Sequence, residues 1–172
     1  MTIVICDSSF LILISKLEIL NLLITLFDNI IIPIAVFKET VEKGKDKKKM
    51  DAFLIEKYIK EEKIIVKKIK KSSEKTKLME DFNIYEGEAE AILLYMMEKA
   101  NLLGTDDFQS IKVCKIFNIR YFSTLSFLQI CYSRNKLTKN SVLSKYNKLN
   151  EIGWYNDELI NYFKNKIKNK ED

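Results

Sequence analysis

Histidine is absent from all 172 residues. Without it there is no Ser-His or Cys-His nucleophile pair, no zincin motif and no histidine general base. Proline occurs once, at Pro33, and glycine four times, which fits a helix-rich body with few long loops. The three cysteines, Cys6, Cys114 and Cys131, are odd in number, far apart and set among apolar residues, with no CxxC or Cys/His spacing. They read as small buried hydrophobes in a reducing compartment. The apolar stretch 10–37 is interrupted by Lys16, Glu18, Asn21 and Asp28 well short of a spanning length. The amino terminus "MTIVICDSSF" has no basic region and carries an acid at position 7, so no signal peptide is expected. A cytoplasmic protein without a membrane partner is the expectation.

What is present is an ordinary globular composition, 47% hydrophobic and 31% charged, on a chain long enough to bury one core. We expect a single domain over 1–172, with a core of about 1–133 and a helical extension over 134–172. The net charge of +5 is clustered in "EKGKDKKK" (42–49), "KKIKKSSEKTK" (67–77) and the tail "FKNKIKNK". Any one such run is an ordinary solvated surface, but together they suit a polyanion better than an acidic small molecule.

Strand and helix signals alternate along the chain. "TIVIC" (2–6) is a β-branched apolar run, predicted as a fully buried strand, with Ser8 or Ser9 capping a helix through "FLILISK". "EILNLLITLF" continues as helix, and "NIIIP" (29–33) as strand. "IAVFKETVEKG" is predicted as a helix closed by Gly44. Residues 45–62 read as a charged helix, "KIIVKKI" (63–69) as an edge strand and 70–83 as loop or frayed helix. "YEGEAEAILLYMMEKA" (85–100) is a strong helix, "LLGT" a strand, "DFQSIKVCKIF" a helix, "IRYFS" a strand, and the remainder helical. The alternation predicts a three-layer α/β/α sandwich with a mainly parallel central sheet and a helical carboxyl terminus. Functional groups of such sheets gather at the carboxyl ends of the strands.

Acids fall at those ends. Asp7 follows the first strand directly, and the adjacent pair Asp106 and Asp107 follows "LLGT". Glu39 shares a helix face with Ala35 and Val36, and Glu88 with Ala91, Ile92 and Tyr95; an acid on an apolar stripe is costly unless something positive meets it. Each has a plain alternative: Asp7 and Asp107 as helix caps, Glu88 as a first-turn dipole partner, Glu39 as a surface residue. Glu86 and Glu90 read as ordinary helix acids, although Glu90 also has apolar neighbours in Leu93 and Leu94. Taken together the set reads as a site for Mg²⁺ or Mn²⁺, which prefer carboxylate and water oxygens. One ion can activate water, and a pair can clamp the attacking and leaving oxygens of a phosphodiester.

The stretches "IVICDSSFLI", "IIIPIAVFKETVEKG", "YEGEAEAILLYMMEKANLLGTDD" and "NIRYFSTLSFLQICYSRNKLT" resemble, in order and over nearly the whole chain, the PIN-domain proteins of the toxin–antitoxin type. The resemblance places the family's acids at Asp7, Glu39, Glu88 and the Asp106/Asp107 pair. It implies an Mg²⁺- or Mn²⁺-dependent endoribonuclease leaving a 5′-phosphate and a 3′-hydroxyl, often a homodimer and often held inactive by a small antitoxin. It also implies supporting hydrogen bonds from Ser8 or Ser9 and from Thr105. Ser123 and Thr124 stand where the "GEAEA…DD" subgroup has Gly-Thr. Either Asp106 or Asp107, and either Glu88 or Glu90, could be the direct ligand. The rival readings are a non-catalytic PIN-fold module binding RNA or protein, and an unrelated Asp-dependent α/β protein. Of the latter, a haloacid-type phosphatase wants Asp where Ser9 stands, and a response-regulator receiver wants its paired acids after the first strand.

Overall fold

The computed structural model describes residues 1–70 and 73–169; Lys71 and Lys170, which belong to two of the lysine runs, lie outside the described residues. The chain forms two compact units, Met1–Phe122 and Ser123–Asp172.

The first unit contains β1 (Ile3–Cys6), α1 (Ser8–Lys16), α2 (Leu20–Leu26), β2 (Asn29–Pro33), α3 (Ile34–Phe37), a π-helical turn (Lys38–Glu42) and α4 (Lys43–Asp46). It continues with α5 (Met50–Lys60), β3 (Ile64–Lys67), α6 (Ser73–Phe82), α7 (Glu86–Met97), β4 (Leu102–Gly104), α8 (Phe108–Ile116) and β5 (Tyr121–Phe122). The five strands form one sheet in the order β3-β2-β1-β4-β5, and every pairing is parallel. This is the α/β/α architecture expected of the sequence. Parallel strands covered on both faces must be apolar throughout, which is why β1 and β2 read as continuous Ile/Val runs.

Side chains alternate across the sheet, so neighbours in a strand face opposite layers. Ile5, Ile31 and Leu103 join Ala89, Ala91 and Ile92 of α7 in one core cluster. The next residue after Leu103, Gly104, faces the other way, where a Cβ would lie 2.6 Å from the Phe10 ring of α1. Glycine at 104 is therefore what lets α1 lie close on β4. Strand order runs outward from β1 in both directions, and the reversal falls between β1 and β4. Ligands of open parallel sheets bind at such a switch point.

Three expectations are corrected. Asp7, rather than Ser8 or Ser9, caps α1, its carboxylate accepting the Phe10 amide at 2.9 Å. Gly44 does not close its helix: it lies within α4, where a Cβ would meet Ala52 Cβ at 2.7 Å, so its small size serves α4–α5 packing. Most of 70–83 is helical, as α6, because Leu78 is buried while the charged face stays in water.

In the second unit, α9 (Thr124–Ser133), α10 (Lys139–Ile152) and α11 (Asp157–Lys168) are capped by Ser123, Thr138 and Asn156. Tyr146 is fully buried and donates to the Leu125 carbonyl at 3.0 Å, tying α10 to α9. The three cysteines are buried, and burial pushes the Cys131 thiol up to about 12. Among the described residues no single helix is long and apolar enough to cross a membrane.

Scarce glycine leaves a structural mark. Among the described residues seven non-glycines have positive φ: Glu18, Lys48, Glu62, Asn83, Lys99, Asn118 and Asn135. At Glu62 the bonds Glu62 N–H to Ile59 O and Lys63 N–H to Tyr58 O complete a Schellman motif, and the same pair of bonds recurs around Lys48. Left-handed backbone costs an L-residue roughly 1–2 kcal/mol. Glu62→Gly is thus expected to raise stability by about 1 kcal/mol, whereas Gly104→Ala, which drives a methyl into buried Phe10, lowers it by about 1–3 kcal/mol. Urea-unfolding midpoints of the two variants measure both effects.

Candidate active site

The register Cys6↔Gly104, together with the Asp7 N–H bond to the Gly104 carbonyl at 3.0 Å, brings the ends of β1 and β4 side by side. Asp7 leaves the sheet there with 1% of its surface exposed, and Asp106 with 4%. Ser9 stitches the two segments: its hydroxyl donates to Asp7 Oδ1 at 2.7 Å and accepts the Asp106 amide at 2.9 Å. Among the described residues Asp7 Oδ2 is buried and meets no donor at full hydrogen-bond geometry, the Thr105 hydroxyl coming close enough only to ease the carboxylate's charge. Burial pushes the Asp7 carboxyl up from its ordinary 3.8 to about 7; the Phe10 amide and the Thr105 and Ser9 hydroxyls pull it down, and the Asp106 charge adds to the rise.

A second group of acids adjoins the first through Ser8, whose hydroxyl donates to Glu39 Oε2. Glu39 sits in the π-helical turn, a distortion that re-aims side chains and recurs at functional sites. Its carboxylate rests against Gly87, where a Cβ would come within 2.7 Å of Oε2. Glu88 follows, accepting the Tyr85 amide at 2.6 Å. Partial burial raises the Glu88 pKa, and the charges of Asp107 and Glu39 raise it further. Asp107 caps α8 by accepting the Ser110 amide at 2.7 Å, and its own amide donates to Thr105 Oγ1 at 3.2 Å.

The predicted acids thus gather in two groups, Asp7 with Asp106 and Glu39 with Glu88 and Asp107, joined by Ser8 and Ser9. Glu90 is drawn elsewhere: it is buried, accepts the Ala35 amide at 3.1 Å and pairs with Lys75 at 3.1 Å, while exposed Glu86 meets the same lysine at 2.6 Å. Its partners make Glu90 a bracket between α7, α3 and α6. Gly87 escaped the sequence reading. The available signal was a glycine inside a strong helix, where it costs about 1 kcal/mol relative to alanine and so calls for a packing reason.

Among the described residues no three Asp, Glu or Cys side chains already stand at metal-ligating geometry. The donors nonetheless fit a hard divalent cation, being carboxylates and hydroxyls without histidine, and Oδ2 of Asp7, without a donor at full hydrogen-bond geometry, is a lone-pair site that a cation would satisfy.

A parallel sheet with buried, hydroxyl-supported acids at its switch point defines an acid-centred α/β protein. A family model described as PIN domain matches residues 3–169, and the chain belongs to that family, whose members are generally metal-dependent nucleases. No curated protein matches the chain. Among solved structures, a domain of a functionally unknown protein from Methanocaldococcus jannaschii is 22% identical, over 72% of this chain and 91% of that one, with a TM-score of 0.46.

Between the unfolded value of 3.8 and the folded value of about 7, native Asp7 holds a proton that the unfolded chain has released. Stability contributed below that window is therefore lost as pH rises through it, on the order of 4 kcal/mol in all. In EDTA, urea unfolding should show wild-type stability falling across this range. Asp7→Asn should flatten the profile and be more stable than wild type near pH 8. A less stable Asp7→Asn at that pH would mean that the buried charge is not the cost identified here.

Proposed function

We propose that this PIN-domain chain is a divalent-metal-dependent endoribonuclease and the toxin member of a toxin–antitoxin pair. The observation that carries the reading is the carboxylate oxygen of Asp7 buried at the switch point without a donor at hydrogen-bond geometry, within the field of Asp106, with Glu39, Glu88 and Asp107 grouped nearby. Asp7, Glu88, Asp106 and Asp107 would hold Mg²⁺ or Mn²⁺, with Glu39 beside them. When bound, the cation would polarise the attacking water and neutralise charge gathering on the phosphate.

The chain's own residues prepare for this. Ser9 fixes Asp7 relative to the Asp106 backbone, and Ser8 fixes Glu39, so the carboxylates do not have to be ordered by the ligand. Below pH 7 Asp7 holds a proton, so cation uptake at this carboxyl releases it and strengthens as pH rises. Cleavage leaving a 5′-phosphate and a 3′-hydroxyl, a homodimer, a cytoplasmic setting and a small protein antitoxin complete the proposal, by likeness to the toxin-type members of the family.

One observation favours a second reading, a non-catalytic PIN module that binds RNA or protein: no three acids stand ready at ligating geometry. A panel of RNAs with Mg²⁺ or Mn²⁺ separates the two. Cleavage by wild type, abolished by EDTA and reduced at least ~100-fold in Asp7→Asn, is the expected result for a direct ligand. Activity that survives both treatments overturns the metal site. Tight RNA binding with no cleavage of any substrate favours the module.

A further inference from the structure

We propose that a lysine-lined pocket beside Glu39 seats a backbone phosphate of single-stranded RNA next to the acidic site. The inference rests on the ribonuclease reading for its ligand but on different residues for its support.

The pocket holds about 240 Å³, several times the ~30 Å³ share of one water molecule. Glu39 and Thr40 of the π-helical turn form part of its wall, so it opens beside the carboxylates described above. Lysines reach it from separate places in the chain: Lys16 ends α1, Lys43 begins α4, and Lys47 and Lys49 flank the turn that follows. They face two acids there, Glu39 and Asp51.

The lysine runs divide by what the charges meet. Lys45 pairs with Glu56 at 2.8 Å, Lys67 with Glu98 at 2.7 Å, and Lys75 with Glu86 and Glu90. Among the described residues Lys16, Lys43, Lys47 and Lys49 form no ion pair. The pocket therefore gathers these four lysines and places them beside Glu39, where their charge is available to an incoming anion. The backbone there is fixed. Lys48 takes φ 52°, its amide bonds the Lys45 carbonyl at 2.8 Å, and the Lys49 amide bonds the Gly44 carbonyl at 3.0 Å. Gly44 meanwhile packs on Ala52. Lys47 and Lys49 thus leave a hydrogen-bonded turn on an anchored helix.

No aromatic side chain lines the pocket. Bases of single strands are held by stacking on aromatic rings, so a site whose free donors are lysines suits the phosphodiester and carries no sequence preference.

The test uses the full chain in EDTA, a fluorescein-labelled single-stranded oligoribonucleotide, and anisotropy measured across a salt series. The triple variant Lys43→Gln, Lys47→Gln, Lys49→Gln is compared with Lys57→Gln, Lys60→Gln, Lys63→Gln, which removes the same net charge from lysines already paired with Glu56 and Glu61. Matching thermal melts establish that both variants fold. The pocket variant should bind at least ~10-fold more weakly at low salt, with its log–log salt slope shallower by about 2, as expected for three phosphate contacts on a single strand; the control should stay within about twofold. Equal weakening in both variants, or none in either, overturns the subsite. So does tight binding of polyglutamate by a chain that ignores RNA, which would make the pocket a seat for an acidic protein segment. The two readings fail separately: binding that depends on these lysines without Mn²⁺-supported cleavage keeps the subsite and removes the nuclease. Cleavage at an unchanged KM in the pocket variant keeps the nuclease and removes the subsite.

Discussion

The burial of the Asp7 carboxylate at the end of β1 is the constraint around which the first unit is arranged. A strand central in a parallel sheet is buried on both faces, so whatever follows it emerges inside the protein unless the chain turns away at once. Here it turns into α1, and Asp7 makes the turn by accepting the Phe10 amide. The same residue's backbone amide closes the β1–β4 register on Gly104, and Gly104 in turn leaves room for Phe10. Cap, register and helix packing share one junction, with a charge in it. An ionised carboxylate so placed is expensive, and the raised affinity of Asp7 for a proton is how the fold limits that expense. The apolar core, from Val4 and Ile5 to Ile92 and Leu103, supplies stability against which such a site can be held.

Around that junction the acids are kept from collapsing or repelling freely by hydroxyls and amides rather than by bases. Ser9 takes one Asp7 oxygen, Ser8 takes Glu39, the Tyr85 amide takes Glu88 and the Ser110 amide takes Asp107. Lys75 does approach the helix that carries Glu88, but it meets Glu86 and Glu90 instead. A lysine inside the acidic group would have neutralised it internally and removed the reason for a cation to enter. Neutral donors hold geometry without cancelling charge.

The sheet was legible from sequence because its strands are short apolar runs, β-branched in β1, β2 and β3, alternating with helical segments. Asp7, Asp106 and Asp107 stood out at the ends of such runs, and Glu39 and Glu88 as acids on apolar helix faces. What could not be read were choices set by distant partners. Glu88 and Glu90 have equivalent local patterns, and only the Ala35 amide and Lys75, far away in sequence, draw Glu90 aside. Gly44 carries the ordinary signature of a helix stop, yet its small size answers Ala52. The left-handed helix stops fall on Glu, Lys and Asn, of which Glu and Lys carry no such signature. Helix α6 was obscured because it is charged nearly throughout and buries little besides Leu78.

A strongly acidic centre poses a problem for any polyanionic substrate. One carboxylate about 6 Å from a phosphate repels it by roughly 3 kcal/mol at an effective dielectric of 20, and several acids act together. A bound divalent cation answers this only at the atoms it touches. The neighbouring phosphates of a strand still feel the outer acids and need compensation of their own, within about 8–10 Å if it is to survive physiological salt. Net charge is a poor guide to where that compensation lies, since a surplus of +5 says how many cations outnumber the acids and nothing of their positions. The useful quantity is the positive charge left over near the acids. In this chain Lys45, Lys67 and Lys75 of the two inner runs are answered by Glu56, Glu98, Glu86 and Glu90, whereas Lys43, Lys47 and Lys49, which pair with no acid among the described residues, share a pocket with Glu39. Glu39, at the edge of the acidic group, and Lys43, Lys47 and Lys49, which pair with no described acid, are thus supplied by adjacent turns of the same chain segment, 38–49.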